Sequence, residues 1–187
     1  MKKIAIFASG SGTNFENIAK KVESLNIPCS IELLVCDKPG AKVEERAKAL
    51  QIDSLSLSPK NFPSKKEYEE EILQALKEKE VEFIVLAGYM RLIGETLLKA
   101  YEGKIINIHP SLLPAFPGKD AIGQAFKAGV KVAGVTVHYV DEGMDTGPII
   151  AQQAVQLDDN ETLESIEEKI HQIEYELYPK TLVKLFS

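Results

Sequence analysis

The protein has 187 residues, of which 44% are hydrophobic and 27% are charged, and its 22 basic and 28 acidic residues give a net charge of −6. That composition is typical of a globular protein and excludes a collagen, a disordered tail and a disulfide scaffold. The two cysteines have no CxxC spacing, no apolar run reaches the roughly 18 residues of a membrane helix, and no basic stripe favours nucleic acid. We therefore expect one cytoplasmic domain, residues 1–187, that acts on small molecules and binds neither membrane nor nucleic acid.

Apolar segments of strand length alternate with segments of helical periodicity along the chain. Strands are predicted at residues 4–8, 31–36, 54–57, 83–87, 104–108, 132–140 and 148–157. Helices are predicted at residues 15–25, 42–50, 64–76, 95–101 and from residue 163 to near Pro179. Ser64 and Glu67 have the spacing of a capping box at the start of the third helix. This alternation indicates a parallel sheet that is covered by helices on both faces.

The last two predicted strands are joined by a short loop, residues 141–147. A parallel crossover needs about a dozen residues or more, so these strands should pair as an antiparallel hairpin. The expected fold class is α/β, with a mostly parallel seven-stranded sheet, an antiparallel C-terminal hairpin and helices on both faces. Ligands bind at the carboxyl edge of such sheets, where we expect the loops at 9–14, 88–93 and 109–118 to meet.

A glycine-rich segment, Ser9-Gly-Ser-Gly-Thr-Asn14, joins the first strand to the first helix. Glycines allow close backbone approach, and the free N–H groups and dipole of a helix start favour an anion. Phe15 stands where a dinucleotide motif has its third glycine, and no lysine follows as in a P-loop. The segment is interpreted as a site for a single phosphate, and the alternative is a plain turn capped by Thr13 and Glu16.

Two polar residues end the fifth predicted strand. Asn107 and His109 are two positions apart, so their side chains share one face and could stabilise an oxyanion, although such residues are as often structural. Asp145, in the hairpin loop, could pair with an imidazole or relay a proton, or simply belong to a solvated turn. His138 and His171 are interpreted as structural. No recognisable ligand spacing is present, so we expect no metal site.

Four motifs of this chain occur together in one known family. They are Asn107-Ile-His109-Pro-Ser-Leu-Leu-Pro114, Phe116-Pro-Gly118, Ala87-Gly-Tyr-Met-Arg91 and Asp145-Thr-Gly-Pro148. Together they resemble the formyltransferase family that uses 10-formyltetrahydrofolate, and the resemblance extends over essentially the whole chain. It implies a Rossmann-like sheet. The compact length and the glycine-rich loop after the first strand further resemble the family members of purine synthesis that formylate the amine of glycinamide ribonucleotide.

The resemblance also implies roles for individual residues. Asn107, His109 and Asp145 match the catalytic trio, in which the amide and a protonated imidazole stabilise the oxyanion formed by amine attack and the acid helps to move a proton. The ribonucleotide would be bound by Gly12, Thr13 and Asn14 at its phosphate and by Glu174 at its ribose. The folate would be bound by Lys65, Met90, Arg91, Leu92, Ile93, Val140, Asp141, Glu142, Gly143 and Met144.

The resemblance implies 10-formyltetrahydrofolate as the formyl donor and no metal, and we expect a monomer or a weak homodimer. Lys65 departs from the family because an arginine often contacts the folate tail there, and His171 stands where an amide is common. Within the family, a formyltetrahydrofolate hydrolase or a methionyl-tRNA formyltransferase would usually carry an additional domain, and we expect neither. Outside it, Gly10, Gly12 and Asp37 leave open a dinucleotide-binding regulatory module.

Overall fold

A computed structural model describes all 187 residues. The seven strands are β1 (Lys2–Ala8), β2 (Cys29–Cys36), β3 (Ser54–Ser56), β4 (Phe83–Leu86), β5 (Ile105–His109), β6 (Val132–Tyr139) and β7 (Ile149–Gln156). The six α-helices are α1 (Thr13–Ser24), α2 (Lys42–Ala49), α3 (Lys65–Glu78), α4 (Glu95–Ala100), α5 (Ala121–Ala128) and α6 (Leu163–Phe186). A single 3₁₀ turn, Pro59–Asn61, precedes α3. None of the helices has the length and apolar character needed to cross a membrane.

All seven strands belong to one sheet, in the order β3-β2-β1-β4-β5-β6-β7. The neighbours among β3, β2, β1, β4 and β5 are parallel, whereas β6 is antiparallel to β5 and β7 is antiparallel to β6. The predicted α/β class and the C-terminal hairpin are therefore confirmed. The chain runs from β1 towards one edge and from β4 towards the other, so a crevice opens where β1 and β4 end.

The sheet has an apolar core on each face, because successive side chains of a buried strand point to opposite sides. In β1, Ile4 and Ile6 belong to the larger core beneath α1, α2 and α6, whereas Ala5 and Phe7 belong to the smaller core beneath α3 and α4. The same alternation in β5 separates Ile106, in the larger core, from Ile105, in the smaller core. The two covered faces leave the strand ends as the place where loops and polar side chains can meet.

Helix α6 continues through Pro179 to Phe186, so the prediction that it ends near this proline is wrong. A proline inside a helix lacks the N–H that would bond the carbonyl four residues earlier, here the carbonyl of Tyr175. In this protein two side chains of α1 replace the missing donor. Asn17 Nδ2 and Lys21 Nζ each donate to the Tyr175 carbonyl oxygen at 2.9 Å. The tertiary contact with α1 therefore satisfies the carbonyl, and the helix continues.

Helix α5, between β5 and β6, is not predicted by the periodicity. It is short and contains Gly123, which lowers the intrinsic helix preference of the segment. A Cβ atom at Gly123 would lie 2.3 Å from a carboxylate oxygen of Asp120, the residue at the helix N-cap. Helix α5 packs against α6, so its formation depends on contacts that are distant in sequence.

Candidate active site

Three cavities surround the candidate site, two of them at the carboxyl edge of the parallel strands and one beside these. The central cavity, of about 720 Å³, lies between the end of β5, the loop after β4, residues 118–122 and the hairpin loop. The side cavity, of about 890 Å³, adjoins it along Leu92, Ile93, Val140 and Asp141. The glycine-loop cleft, of about 310 Å³, is formed mainly by residues 9–14. Volumes of about 300–1,000 Å³ are typical of sites for small organic ligands.

The end of β5 presents Asn107 and His109 to the central cavity. Ile106 and Ile108, the residues that alternate with them, are buried in the core on the opposite face. This is the arrangement that the two-residue spacing predicts, since residues two apart on a strand share a face. The protein therefore brings an amide and an imidazole to one wall of the cavity.

The His109 ring is held by a backbone carbonyl on one side and a carboxylate on the other. Its Nε2 lies 2.9 Å from the Phe116 carbonyl oxygen, and because a carbonyl can only accept, Nε2 carries a hydrogen and donates it. Its Nδ1 lies 3.5 Å from Asp145 Oδ2. Since Nε2 is committed to the carbonyl, Nδ1 is the ring atom at which a proton can be gained or lost, and it faces the acid.

Asp145 lies between two imidazoles. Gly118 N–H donates to Asp145 Oδ2 at 2.8 Å, His109 Nδ1 is near the same oxygen, and His138 Nε2 lies 3.6 Å from the other carboxylate oxygen. Burial raises the pKa of Asp145, but the combined effect of His138, the Gly118 N–H and His109 outweighs it, so this pKa lies below its usual value. Asp145 is therefore a partly buried acid that remains ionised, near an imidazole of β5 and another of β6.

The glycine-rich loop ends at Gly12, which is the N-cap of α1 with a left-handed φ of 74°. Helix α1 has no side-chain capping hydrogen bond, so the alternative of a turn capped by Thr13 and Glu16 is wrong. Glu16 pairs instead with Arg46, at 2.8 Å. The first N–H groups of a helix have no partner within the helix, and here the loop leaves them without a side-chain cap beside the cleft.

Contacts with α2 hold the glycine-rich loop in place. Arg46 Nε donates to the Ser11 carbonyl at 2.6 Å, and Val43 N–H donates to the Gly10 carbonyl at 3.0 Å. A Cβ atom at Gly12 would lie 2.4 Å from Val43 Cγ2, so α2 also approaches too closely for any larger residue. The loop geometry is therefore built into the fold and is present without a ligand.

The residues predicted to bind a folate divide between two cavities. Met90, Arg91, Leu92, Ile93, Val140, Asp141, Gly143 and Met144 line the central cavity, whereas Lys65 and Glu142 line the side cavity. Met90, Leu92 and Met144 are 71%, 53% and 48% exposed, respectively. Exposed apolar side chains around a concave site are typical of a binding surface. Gly12, Thr13 and Asn14, which are expected to bind a phosphate, line the glycine-loop cleft, and phosphate binding there stays a prediction.

Glu174, the predicted ribose contact, is buried in α6 and lines none of the three cavities. Its Oε1 lies 2.7 Å from His171 Nδ1. The hydrogen bond with Glu174 raises the pKa of His171 and outweighs the lowering effect of burial. His171, which stands where an amide is common in the family, therefore has a structural consequence, because its ring pairs with one carboxylate oxygen of Glu174. A contact between Glu174 and a ribose stays a prediction.

Two further residues border the site that the sequence did not single out as functional. His138 faces Asp145, and Lys38 lines both the central cavity and the glycine-loop cleft. The pairing of strands could have indicated His138, because His138 lies opposite Asn107 across β5 and β6. The position of Lys38 just after β2 could have indicated that residue.

No group of three or more His, Cys, Asp or Glu side chains has the arrangement of a metal site.

Comparison with known proteins gives matches that agree with one another and that include the residues of this site. The formyl transferase family model matches residues 2–182. Phosphoribosylglycinamide formyltransferase of Bacillus subtilis (strain 168) is 62% identical over 100% of this chain and 96% of its own length.

Solved structures give the same result. The phosphoribosylglycinamide formyltransferase of Bacillus halodurans is 61% identical, with a TM-score of 0.96 over 100% of this chain and 96% of that one. Glycinamide ribonucleotide transformylase 1 of Geobacillus kaustophilus is 60% identical, with a TM-score of 0.97 over 100% of both chains. The family match, the full-length identity and the shared fold together show that this chain belongs to the formyl transferase family.

Proposed function

We propose that the protein transfers the formyl group of 10-formyltetrahydrofolate to the primary amine of glycinamide ribonucleotide, a step of purine synthesis. The observation that carries the proposal is the His109–Asp145 pair, which lies beside Asn107 in a cavity that adjoins a helix start without a side-chain cap. Relatives with the same fold and about 60% identity are named for this reaction. The product would be formylglycinamide ribonucleotide, and tetrahydrofolate would be released.

The side chains at the end of β5 support a role in stabilising negative charge on the formyl oxygen. When the amine nitrogen bonds to the formyl carbon, negative charge develops on that oxygen, and donors already aimed at it lower the barrier. The Asn107 amide and a His109 imidazole protonated at Nδ1 are the donors on this wall. As the bond between the formyl carbon and the folate nitrogen breaks, that nitrogen must receive the proton that the amine loses.

Asp145 supports the proton transfer. It remains ionised in a partly buried position, so it favours positive charge on the imidazole beside it and can accept a proton during the reaction. One of its oxygens, Oδ2, accepts from the Gly118 N–H at 2.8 Å, which ties that oxygen to the protein without help from the substrate. Neither a covalent nucleophile nor a Lewis acid is needed for this sequence of bond changes.

The glycine-loop cleft supports binding of the ribonucleotide phosphate. The N–H groups at the start of α1 and the helix dipole favour an anion, and Lys38 is the charged side chain that lines this cleft. Lys38, Gly88 and Met90 line both the cleft and the central cavity. A molecule with a phosphate at one end could therefore reach the trio with its other end.

The central and side cavities support binding of the folate. Apolar side chains at the rim would contact the ring system of the folate. Lys65 in the side cavity would meet the acidic tail of the folate as a point charge, because lysine lacks the bidentate geometry of arginine.

The alternative function, a dinucleotide-binding module, has less support. Asp37, the acid that it requires for a ribose, is 5% exposed and lines none of the three cavities.

The experiment is incubation with both substrates while absorbance follows the loss of the formyl group from the folate. We expect loss that depends on glycinamide ribonucleotide. A reaction without the ribonucleotide at the same rate would indicate a hydrolase and would contradict the proposal. Stabilisation by a dinucleotide, with no reaction, would favour the regulatory module.

A further inference from the structure

His138 is a buried histidine for which the proposed reaction has no role. It is 2% exposed and lies on β6 directly opposite Asn107 in the β5–β6 register. Its Nδ1 lies 2.9 Å from the Tyr139 carbonyl oxygen, and because a carbonyl only accepts, Nδ1 is the nitrogen that donates. The other ring nitrogen, Nε2, has no hydrogen-bond partner in the protein.

An unpaired buried polar atom is rare in a folded protein and calls for a physical explanation. Here the unpaired His138 Nε2 lies 3.6 Å from Asp145 Oδ1. That distance is slightly too long for a hydrogen bond. Contacts of this kind in a ligand-free active site are often long and shorten when the substrate is bound.

The two oxygens of Asp145 have different partners. Oδ2 accepts from Gly118 N–H at 2.8 Å and faces His109, whereas Oδ1 faces only the imidazole of His138. Without His138, nothing in the protein would fix Oδ1. The carboxylate could then turn about its terminal torsion, which is broad for aspartate, and Oδ2 would lose its alignment with His109.

The backbone of Asp145 makes this side-chain contact more important. Its φ is 57°, in the left-handed region that most residues with a Cβ atom avoid. Gly147 brings the hairpin loop against the end of β6, since a Cβ atom there would lie 1.8 Å from the Tyr139 carbonyl oxygen. The loop thus places Asp145 over His138 in a conformation that its own backbone preference does not favour.

We infer that His138, carrying a hydrogen on Nε2 as well as on Nδ1, is a positioning residue for the formyl transfer. By donating from Nε2 to Asp145 Oδ1 it holds the carboxylate between β5 and β6 so that the other oxygen faces His109. The inference rests on the proposed function for its effect on rate, but its geometry can be tested without substrate. The lowered pKa of Asp145 is consistent with this role, because His138 makes the largest contribution that opposes burial.

Other ionisable groups face the same cavity and form the background of any titration of Asp145. They are Lys38, Tyr89, Arg91, Lys119, Asp120, Asp141 and Glu167. Each of them is retained in the variants that test His138. A change in the Asp145 titration between these variants therefore reports on position 138.

The first measurement is a carbon-13 NMR titration of the Asp145 carboxyl in the ligand-free protein. We expect the pKa of Asp145 to be higher in His138→Leu than in the wild type, because burial is then less opposed. Superimposable titrations would overturn the inference, whether or not the protein transfers a formyl group. An absence of activity in the wild type would instead refute the proposed function and leave the titration to decide the geometry.

The second measurement is steady-state kinetics. We expect His138→Leu to lower kcat by roughly tenfold or more, which corresponds to about 1.4 kcal/mol of transition-state stabilisation, with little change in KM for either substrate. His138→Gln should recover most of the rate, because its amide places a donor near the position of Nε2. Wild-type kcat in a folded His138→Leu protein would overturn the inference.

Two variants separate positioning from packing. Val137→Ala removes a buried neighbour on β6 whose side chain lies in the opposite core, so we expect it to lower Tm and to leave kcat and the Asp145 titration unchanged. If His138→Leu does not fold, His138→Gln is compared with His138→Asn, whose shorter amide cannot reach Asp145. Higher kcat in the glutamine variant supports the inference, and equal kcat in the two overturns it.

Discussion

Replacing Gly12 with alanine should destabilise the fold at the start of α1. The new Cβ atom would lie 2.4 Å from Val43 Cγ2 and 2.9 Å from Val43 Cα, and the second of these is backbone that cannot rotate away. Overpacking of this kind costs about 1–3 kcal/mol. The φ of 74° adds about 1–2 kcal/mol for a residue with a Cβ atom. We expect the free energy of unfolding to fall by about 2–5 kcal/mol.

Thermal unfolding measures this effect, and Gly10→Ala is the matched control. A chain of this length loses about 2–4 °C in Tm per kcal/mol, so Gly12→Ala should lower Tm by about 4–20 °C. A Cβ atom at Gly10 has nothing within 4 Å, so Gly10→Ala should leave Tm unchanged or raise it slightly through the entropy of the unfolded chain. Equal Tm values for the two variants would refute the reasoning about α2 and the glycine loop.

Two further predictions concern side chains of the site. Asn107→Ala, His109→Ala and Asp145→Ala should each remain folded and lower kcat by roughly 10²–10³-fold, and double variants should lose much less than the product of the single effects, because the three act as a unit. Near-normal turnover in folded His109→Ala would contradict its role. Because Glu174 raises the pKa of His171, their pair should stabilise the protein fully below about pH 6.5 and progressively less as pH rises through the folded-state pKa. The Tm of the wild type should therefore exceed that of His171→Gln by more at about pH 5.5 than at about pH 8.5, and equal differences would show that the pair does not contribute.

The sequence was sufficient to predict the wall of the site that lies on a strand. Asn107 and His109 share a face because side chains alternate along a strand, and Ile106 and Ile108 had to point into a core. The loop between β6 and β7 was too short for a parallel crossover, which determined the direction of the hairpin. These inferences needed only local geometry.

The features that the sequence did not predict depend on contacts between distant segments. Helix α6 passes Pro179 because α1 supplies donors to the carbonyl that the proline leaves unpaired. Gly12 replaces a side-chain cap because α2 packs too closely against the loop. His138 was interpreted as structural because its relation to Asp145 exists only after the hairpin loop folds back over β6. Each case needed a partner more than 20 residues away or a loop conformation that no local pattern specifies.

Transfer of an isotopic label distinguishes formyl transfer from every alternative. The protein is incubated with glycinamide ribonucleotide and with 10-formyltetrahydrofolate that carries carbon-13 in its formyl group, and both products are followed by mass spectrometry. We expect the label to appear on the amine of the ribonucleotide, with one tetrahydrofolate released for each labelled product. Label recovered as free formate, or an unlabelled ribonucleotide after the folate has lost its formyl group, would contradict direct transfer at the Asn107, His109 and Asp145 site.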